Sequence, residues 1–207
     1  MLGKIQQVVF GFASCGKFSN IPLKIKGGYM ENTELDLSNL DRHIQESFDG
    51  IKLLYEGGYY NQARYCAFIL IDQLAWLVSG LEEQVNIYFK TWLNKHFKHH
   101  YPEITPEEIW ASRNGLLHNG SSISRDIVNG RVARQLFYID NVNSIEDLSH
   151  NFDLSCNTFF PVNTARFLQV ALYHAVLEFR HNLNDDSGLD RIEIKRKLGK
   201  LLAAIYP

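Results

Sequence analysis

The stretch ITPEEIWASRNGLLHNG, Ile104 to Gly120, holds the clearest helix start in the chain and a run of polar residues inside the same helix. Thr105 is the N-cap, Pro106 takes the first helical position and Glu108 stands three residues after the cap. That is a capping box: the threonine oxygen accepts from a first-turn amide, and the glutamate reaches back to the cap amide. Gly120 marks the stop. Between them stand Arg113, Asn114, Gly115 and His118. A mid-helix glycine costs about 1 kcal/mol against alanine. The segment is therefore either a polar helix end whose cations complement the negative end of the helix, or a site.

Working outward, the same helical period recurs. In Leu35 to Gly58 the apolar residues Leu40, Ile44, Phe48, Ile51, Leu54 and Tyr55 return every three or four positions, and Gly57-Gly58 ends the run. Tyr59 to Gly80 is apolar over most of its circumference, which predicts a central, buried helix. Leu81 to His100 carries one stripe from Val85 to Phe97. After the capped helix, Ser122 to Asn143 changes character. Asn129-Gly130 lies between segments with β-branched and aromatic residues, which predicts a β-hairpin or two short strands. Phe152 to Asn163 reads as a connector, Thr164 to Leu183 as a fifth, amphipathic helix, and Leu189 to Tyr206 as a basic terminal helix. The expected fold is all-α: about five to six helices with a small β-hairpin insertion after the fourth.

The 207 residues suffice for one well-packed domain, and 45% hydrophobic with 21% charged residues is an ordinary globular composition. A net charge of -2 argues against a broad phosphate-tracking surface, though not against a small basic site. Cys15, Cys66 and Cys156 are odd in number and form no Cys-x-x-Cys pair, so a disulfide framework is not expected and a reducing, cytoplasmic setting fits. The longest apolar run, Cys66 to Ile71, is far shorter than a membrane span.

Residues 1–32 read as a leader outside the working domain, which spans 33–207. Gly11-x-x-x-x-Gly16-Lys17 has the outline of a phosphate loop. However, Phe18 stands where the Mg²⁺-binding hydroxyl belongs, and Pro22 with paired glycines denies it a following helix. A lipoprotein signal ending at Cys15 would have an apolar part interrupted by Gln6 and Gln7. The codons AAA-GGA-GGT-TAT-ATG would encode Lys26 to Met30 and contain a bacterial ribosome-binding sequence, so translation is expected to begin at Met30.

Arg113 and His118 diverge by roughly 140° on an ideal helix, because each residue turns the chain by about 100°. Bringing them to one ligand requires a distorted turn near Gly115, a frayed last turn, or a symmetric dimer. Asn114 and His118, four apart, share a face. The pattern Arg113-Asn114-Gly115-Leu116-Leu117-His118 resembles the signature of the HEPN superfamily of helical RNases and RNA-binding domains: Arg, often a polar residue, three more residues and His, near the end of a late helix. The resemblance spans roughly Leu35 to Tyr206 in helix order. It implies a metal-independent endoribonuclease acting through 2′-hydroxyl attack, with RNA as substrate, no cofactor, and a site formed where two protomers of a homodimer meet. Arg113 and His118 would be catalytic and Asn114 would support them. It also implies a toxin or phage-defence setting with an antitoxin or regulatory partner, or alternatively a non-catalytic module that binds RNA or a nucleotide. Some toxin members carry a tyrosine two residues after the histidine. Gly120 stands there, so regulation by modification of that tyrosine is not supported. The chemistry suits the residues. Histidine, with an ordinary pKa of about 6.5, exchanges protons near neutral pH, and arginine offers planar, permanent charge to phosphate.

Asp72 lies in the most apolar helix and needs a partner, for which Arg113 and Arg64 are candidates; paired to Arg113 it would hold that arginine in place. His96, His99 and His100 have a spacing that could hold a metal. With only Glu103 nearby, a solvated cation-rich helix end is the expected reading and no metal site is expected. Cys66 reads as a small core residue. Arg191, Lys195, Arg196, Lys197 and Lys200 read as a solvated basic face.

Overall fold

The computed structural model describes residues 35–80, 83–120, 123–140, 158–186 and 188–203. The leader 1–32, the start at Met30, and Cys15 and Cys156 lie outside them. Helix α1 (Ser38–Glu56) is followed after a three-residue turn by α2 (Tyr60–Leu77), and the two pack along each other. Helix α2 is the most buried of the described helices. Ala63, Ala67, Phe68, Leu70, Ile71, Leu74 and Ala75 are buried on nearly all its sides, as its apolar circumference requires. Helix α3 (Val85–Trp92) packs on α2 and α4 (Pro106–Asn119). A short α5 (Arg125–Val128) follows, then strands β1 (Gln135–Ile139) and β2 (Phe159–Asn163). Helices α6 (Tyr173–Asn182) and α7 (Arg191–Ala203) complete the described residues, which are mostly helical. None of these helices is long and apolar enough to cross a membrane.

Two helices contain π turns. Leu93–Phe97 extends α3, and Arg166–Leu172 leads into α6. In each, i→i+5 bonding widens the turn and shifts the phase of the residues that follow. Phe97 and Phe167, one from each π segment, meet in the core with ring centroids 5.2 Å apart.

The hairpin expected at Asn129-Gly130 is not formed. Asn129-Gly130 instead ends α5: Gly130 takes φ 68°, its amide donates to the Ile127 carbonyl, and the Arg131 amide donates to Asp126. These are the two bonds of a Schellman stop, which needs a residue in the left-handed region just as a hairpin turn does. The seventh helix, beyond the five to six expected, is this short one. The strands lie later, and they are parallel, with Gln135 opposite Phe159 and Ile139 opposite Asn163. A tight turn closes only an antiparallel pair, so Asn129-Gly130 cannot be the turn of this sheet, whose strands end at Ile139 and begin at Phe159. The expected connector Phe152–Asn163 thus ends in β2. Pro161 is tolerated because each strand of a two-stranded sheet has a free side. Asn163 then accepts a hydrogen bond from the Arg166 amide and starts the next helix directly from the strand.

Candidate functional site

Helix α4 is fixed first at its start. The Glu108 amide donates to Thr105 Oγ1 (3.2 Å) and the Thr105 amide to Glu108 Oε2 (2.8 Å), the full capping box. Glu108 is buried, and Arg134 reaches it with Nε on Oε1 (2.6 Å) and Nη2 on Oε2 (3.0 Å). The cap therefore also ties α4 to the residue just before β1. One turn on, Ala111 and Ser112 face inward, and Ser112 Oγ donates to the Tyr138 hydroxyl (3.1 Å). Burial holds the Tyr138 phenol well above its usual range.

The next residue, Arg113, points to α2. Its Nε and Nη2 both donate to Asp72 Oδ2, at 3.1 and 2.6 Å, and its Nη1 donates to Asn114 Oδ1 at 3.0 Å. Of the two arginines weighed for Asp72, this one is the partner. Arg113 has five N–H groups, so these bonds leave one on each terminal nitrogen. Its side chain is 16% exposed, and its guanidinium carbon lies 5.1 Å from the centre of the Trp110 ring. Burial raises the Asp72 carboxyl above its ordinary value, and the bond and charge of Arg113 pull it back down. Burial also raises the Tyr88 phenol, and Asp72 adds to that shift while Arg113 opposes it, which places Tyr88 within the field of the pair.

His118 is exposed, on the last turn of α4 before Gly120, whose φ is 65°. The helix continues through Gly115 without a break, so the distorted turn considered for that position is not formed. Arg113 and His118 accordingly diverge by roughly 140° and are offset by about 7.5 Å along the axis, the values of a regular helix. Within one chain they do not converge. Tyr65 of α2 comes close to the same helix end, its hydroxyl 3.8 Å from where a side chain on Gly120 would begin. Tyr65, Tyr88 and Trp110 are aromatic neighbours of this strip that sequence spacing did not single out. They lie on three different helices, so no periodicity groups them.

A second cluster lies at the end of α3. The expectation of a solvated end fails at His96, which the π turn carries into the core, between Trp92 and Phe179. Glu178 of α6 joins it: Oε2 lies 2.6 Å from His99 Nε2 and 3.6 Å from His100 Nε2, and Oε1 lies 3.5 Å from His96 Nδ1. His174, one turn before Glu178, stacks on His100 with centroids 5.5 Å apart. Burial comes first in lowering both His96 and His100 below the ordinary imidazole range. Glu103, the carboxylate nearest in sequence, is instead bound to Arg166. Beside His96 lies a cavity of about 160 Å³, bounded by Ala75, Val78, Tyr88, Trp92 and Phe179.

The basic face of α7 also departs from expectation at one residue. Lys197 is 2% exposed and donates to the carbonyls of Trp76 (2.8 Å) and Ser79 (2.7 Å) and to Ser79 Oγ (2.9 Å). It closes the C-terminal end of α2, where carbonyls lack helical partners. Cys66 is half-buried against the core. No family model, curated protein or solved structure matches this chain.

Proposed function

We propose that this chain is a metal-independent endoribonuclease of HEPN type, working as a homodimer on RNA. The observation that supports the reading most is Arg113 itself. A guanidinium is held in a fixed plane by Asp72 and Asn114, retains two free N–H groups, and shares its helix with an exposed histidine. In this reading the RNA 2′-oxygen bonds to the adjacent phosphorus and the bond to the 5′-oxygen breaks. Arg113 stabilises the charge that builds on the phosphoryl oxygens. His118 moves the proton between the 2′-hydroxyl and the leaving 5′-oxygen. Asp72 is a positioning residue, and Asn114 supports from the same face as His118. Tyr65, Tyr88 and Trp110 offer surfaces on which unpaired bases stack.

Because α4 is regular through Gly115, Arg113 and His118 of one chain cannot close on the same phosphate. The reading therefore requires two copies, each bringing part of the cleft. A toxin or phage-defence role with an antitoxin or regulatory partner follows from the same resemblance.

The test is purified protein with RNA in EDTA. The expected result is cleavage leaving 2′,3′-cyclic phosphate and 5′-hydroxyl ends, abolished in Arg113→Ala and in His118→Ala while both remain folded dimers. Binding without cleavage in the wild type would favour a non-catalytic HEPN-like module for RNA or a nucleotide, a reading suited by the matched charge of Arg113 and Asp72. Wild-type behaviour in both variants would reduce the motif to a helix end.

A further inference from the structure

We propose that His99, His100 and Glu178 form a zinc site that clamps α6 to the end of the α3 extension. It is separate from the residues proposed for RNA cleavage. The ligand atoms of the three side chains lie within 4.8 Å of one another, on two elements 79 residues apart in sequence. A four-coordinate ion with bonds of about 2.0–2.1 Å holds its ligand atoms roughly 3.3 Å apart. The Glu178 oxygen, 2.6 Å from His99 and 3.6 Å from His100, thus needs shifts of less than about 1 Å to reach that geometry.

Independent support comes from His96. It is 3% exposed, yet its Nδ1 has no hydrogen-bond partner and faces Glu178 Oε1 at 3.5 Å. The buried Nε2 of His100 also lacks one. In metal centres the ligating carboxylate is held by an outer hydrogen bond, and His96 stands where that donor belongs. His174, stacked on His100, fixes the plane of that ring from the other side. Two imidazoles and one carboxylate select zinc or a neighbouring transition ion over Ca²⁺ or Mg²⁺, which prefer all-oxygen shells. Three protein ligands leave a fourth position for water.

The experiment is titration of metal-free full-length protein with Zn²⁺ alone, in parallel with Co²⁺ and its visible spectrum. The expected result is one ion per chain and a tetrahedral Co²⁺ spectrum. Affinity should weaken about 100-fold or more in H99A, H100A and E178Q, and about 10-fold in H96Q, as loss of an outer partner does. H181A, an exposed histidine outside the cluster, should bind as wild type. Circular dichroism checks each fold, and H99A at an exposed site and E178Q at a half-buried one decide the matter if the buried H96Q does not fold. Wild-type affinity in H99A and E178Q, or equal loss in H181A, would overturn the proposal. Neither result bears on cleavage in EDTA.

Discussion

Arg113 and Asp72 meet through a single oxygen: Nε and Nη2 of the arginine both donate to Oδ2, while Oδ1 is buried without a hydrogen-bond partner. The pair therefore fixes the guanidinium plane but leaves the far edge of the arginine open. Asp72→Asn keeps an acceptor there and removes the charge. Under the proposed function it should lower kcat for RNA at least tenfold with a smaller change in KM, because a misaligned cation costs most at the transition state. In an Arg113→Lys background, where a cation remains but the two-bond contact to Asp72 is lost, the same substitution should have a much smaller effect on rate. Additive losses in that double-mutant cycle would refute the coupling.

Lys197 should be a stability residue. Lys197→Met keeps the buried stem but leaves the Ser79 carbonyl unpaired, while the Trp76 carbonyl keeps the amide and hydroxyl of Ser79, for a cost of about 1–3 kcal/mol in denaturant unfolding. The pH dependence has a definite sign. Burial lowers the Lys197 ammonium below its unfolded value near 10.4, so between the two values the unfolded chain holds more protons. Wild-type stability relative to Lys197→Met should therefore rise with pH through that window, as read by paired unfolding curves.

Glu108 serves two partners at once, the α4 cap and Arg134. Glu108→Ala should cost about 2 kcal/mol, more than an exposed cap alone, because it also strips the Arg134 head of its carboxylate. An unfolding midpoint close to wild type would show that neither contact stabilises the fold.

Arg64 is buried in α2 and donates to Asp140 (2.7 Å), Thr164 (2.9 Å) and Asn61, joining α2 to the end of β1 and to the helix that follows β2. Removing one partner of such a buried pair leaves the other charge uncompensated. Arg64→Ala should cost about 3 kcal/mol, and hydrogen exchange should quicken at β1 before it does at α1.

Gly120 ends α4 in the left-handed region, where a Cβ meets strain but, at 3.8 Å from the nearest atom, no collision. Gly120→Ala should cost about 1–2 kcal/mol, read from the thermal midpoint.

The features read correctly from sequence were those whose signal lies within one or two turns of chain. The capping box at Thr105 and Glu108, the stop at Gly57-Gly58 and the burial of α2 are all of this kind. Asn129-Gly130 was misread because a hairpin turn and a Schellman stop place the same demand on the backbone, and what separates them is pairing with β2, some thirty residues away. Lys197 looked solvated because α7 is basic all along one face, and only the end of α2 draws that one head inward. Arg113 and His118 are named by the resemblance of their motif, while their spacing alone argues for divergence; that α4 stays regular through Gly115 is seen only in the structure.

By itself, the sequence determined a mostly helical chain, the positions of α1 and α2 to within a turn, both ends of α4, and the placement of Arg113, Asn114 and His118 on one capped helix. These follow from hydrogen bonds and periodicities closed within a few residues. Tertiary structure decided that Asp72 takes Arg113 and Arg64 takes Asp140, that β1 and β2 run parallel, and that Glu178 meets three histidines far away in the chain. Each of these joins groups on separate elements, and the π turn at Leu93–Phe97 rotates one partner away from its α-helical phase. A local pattern cannot report a contact whose geometry is set by how distant elements pack.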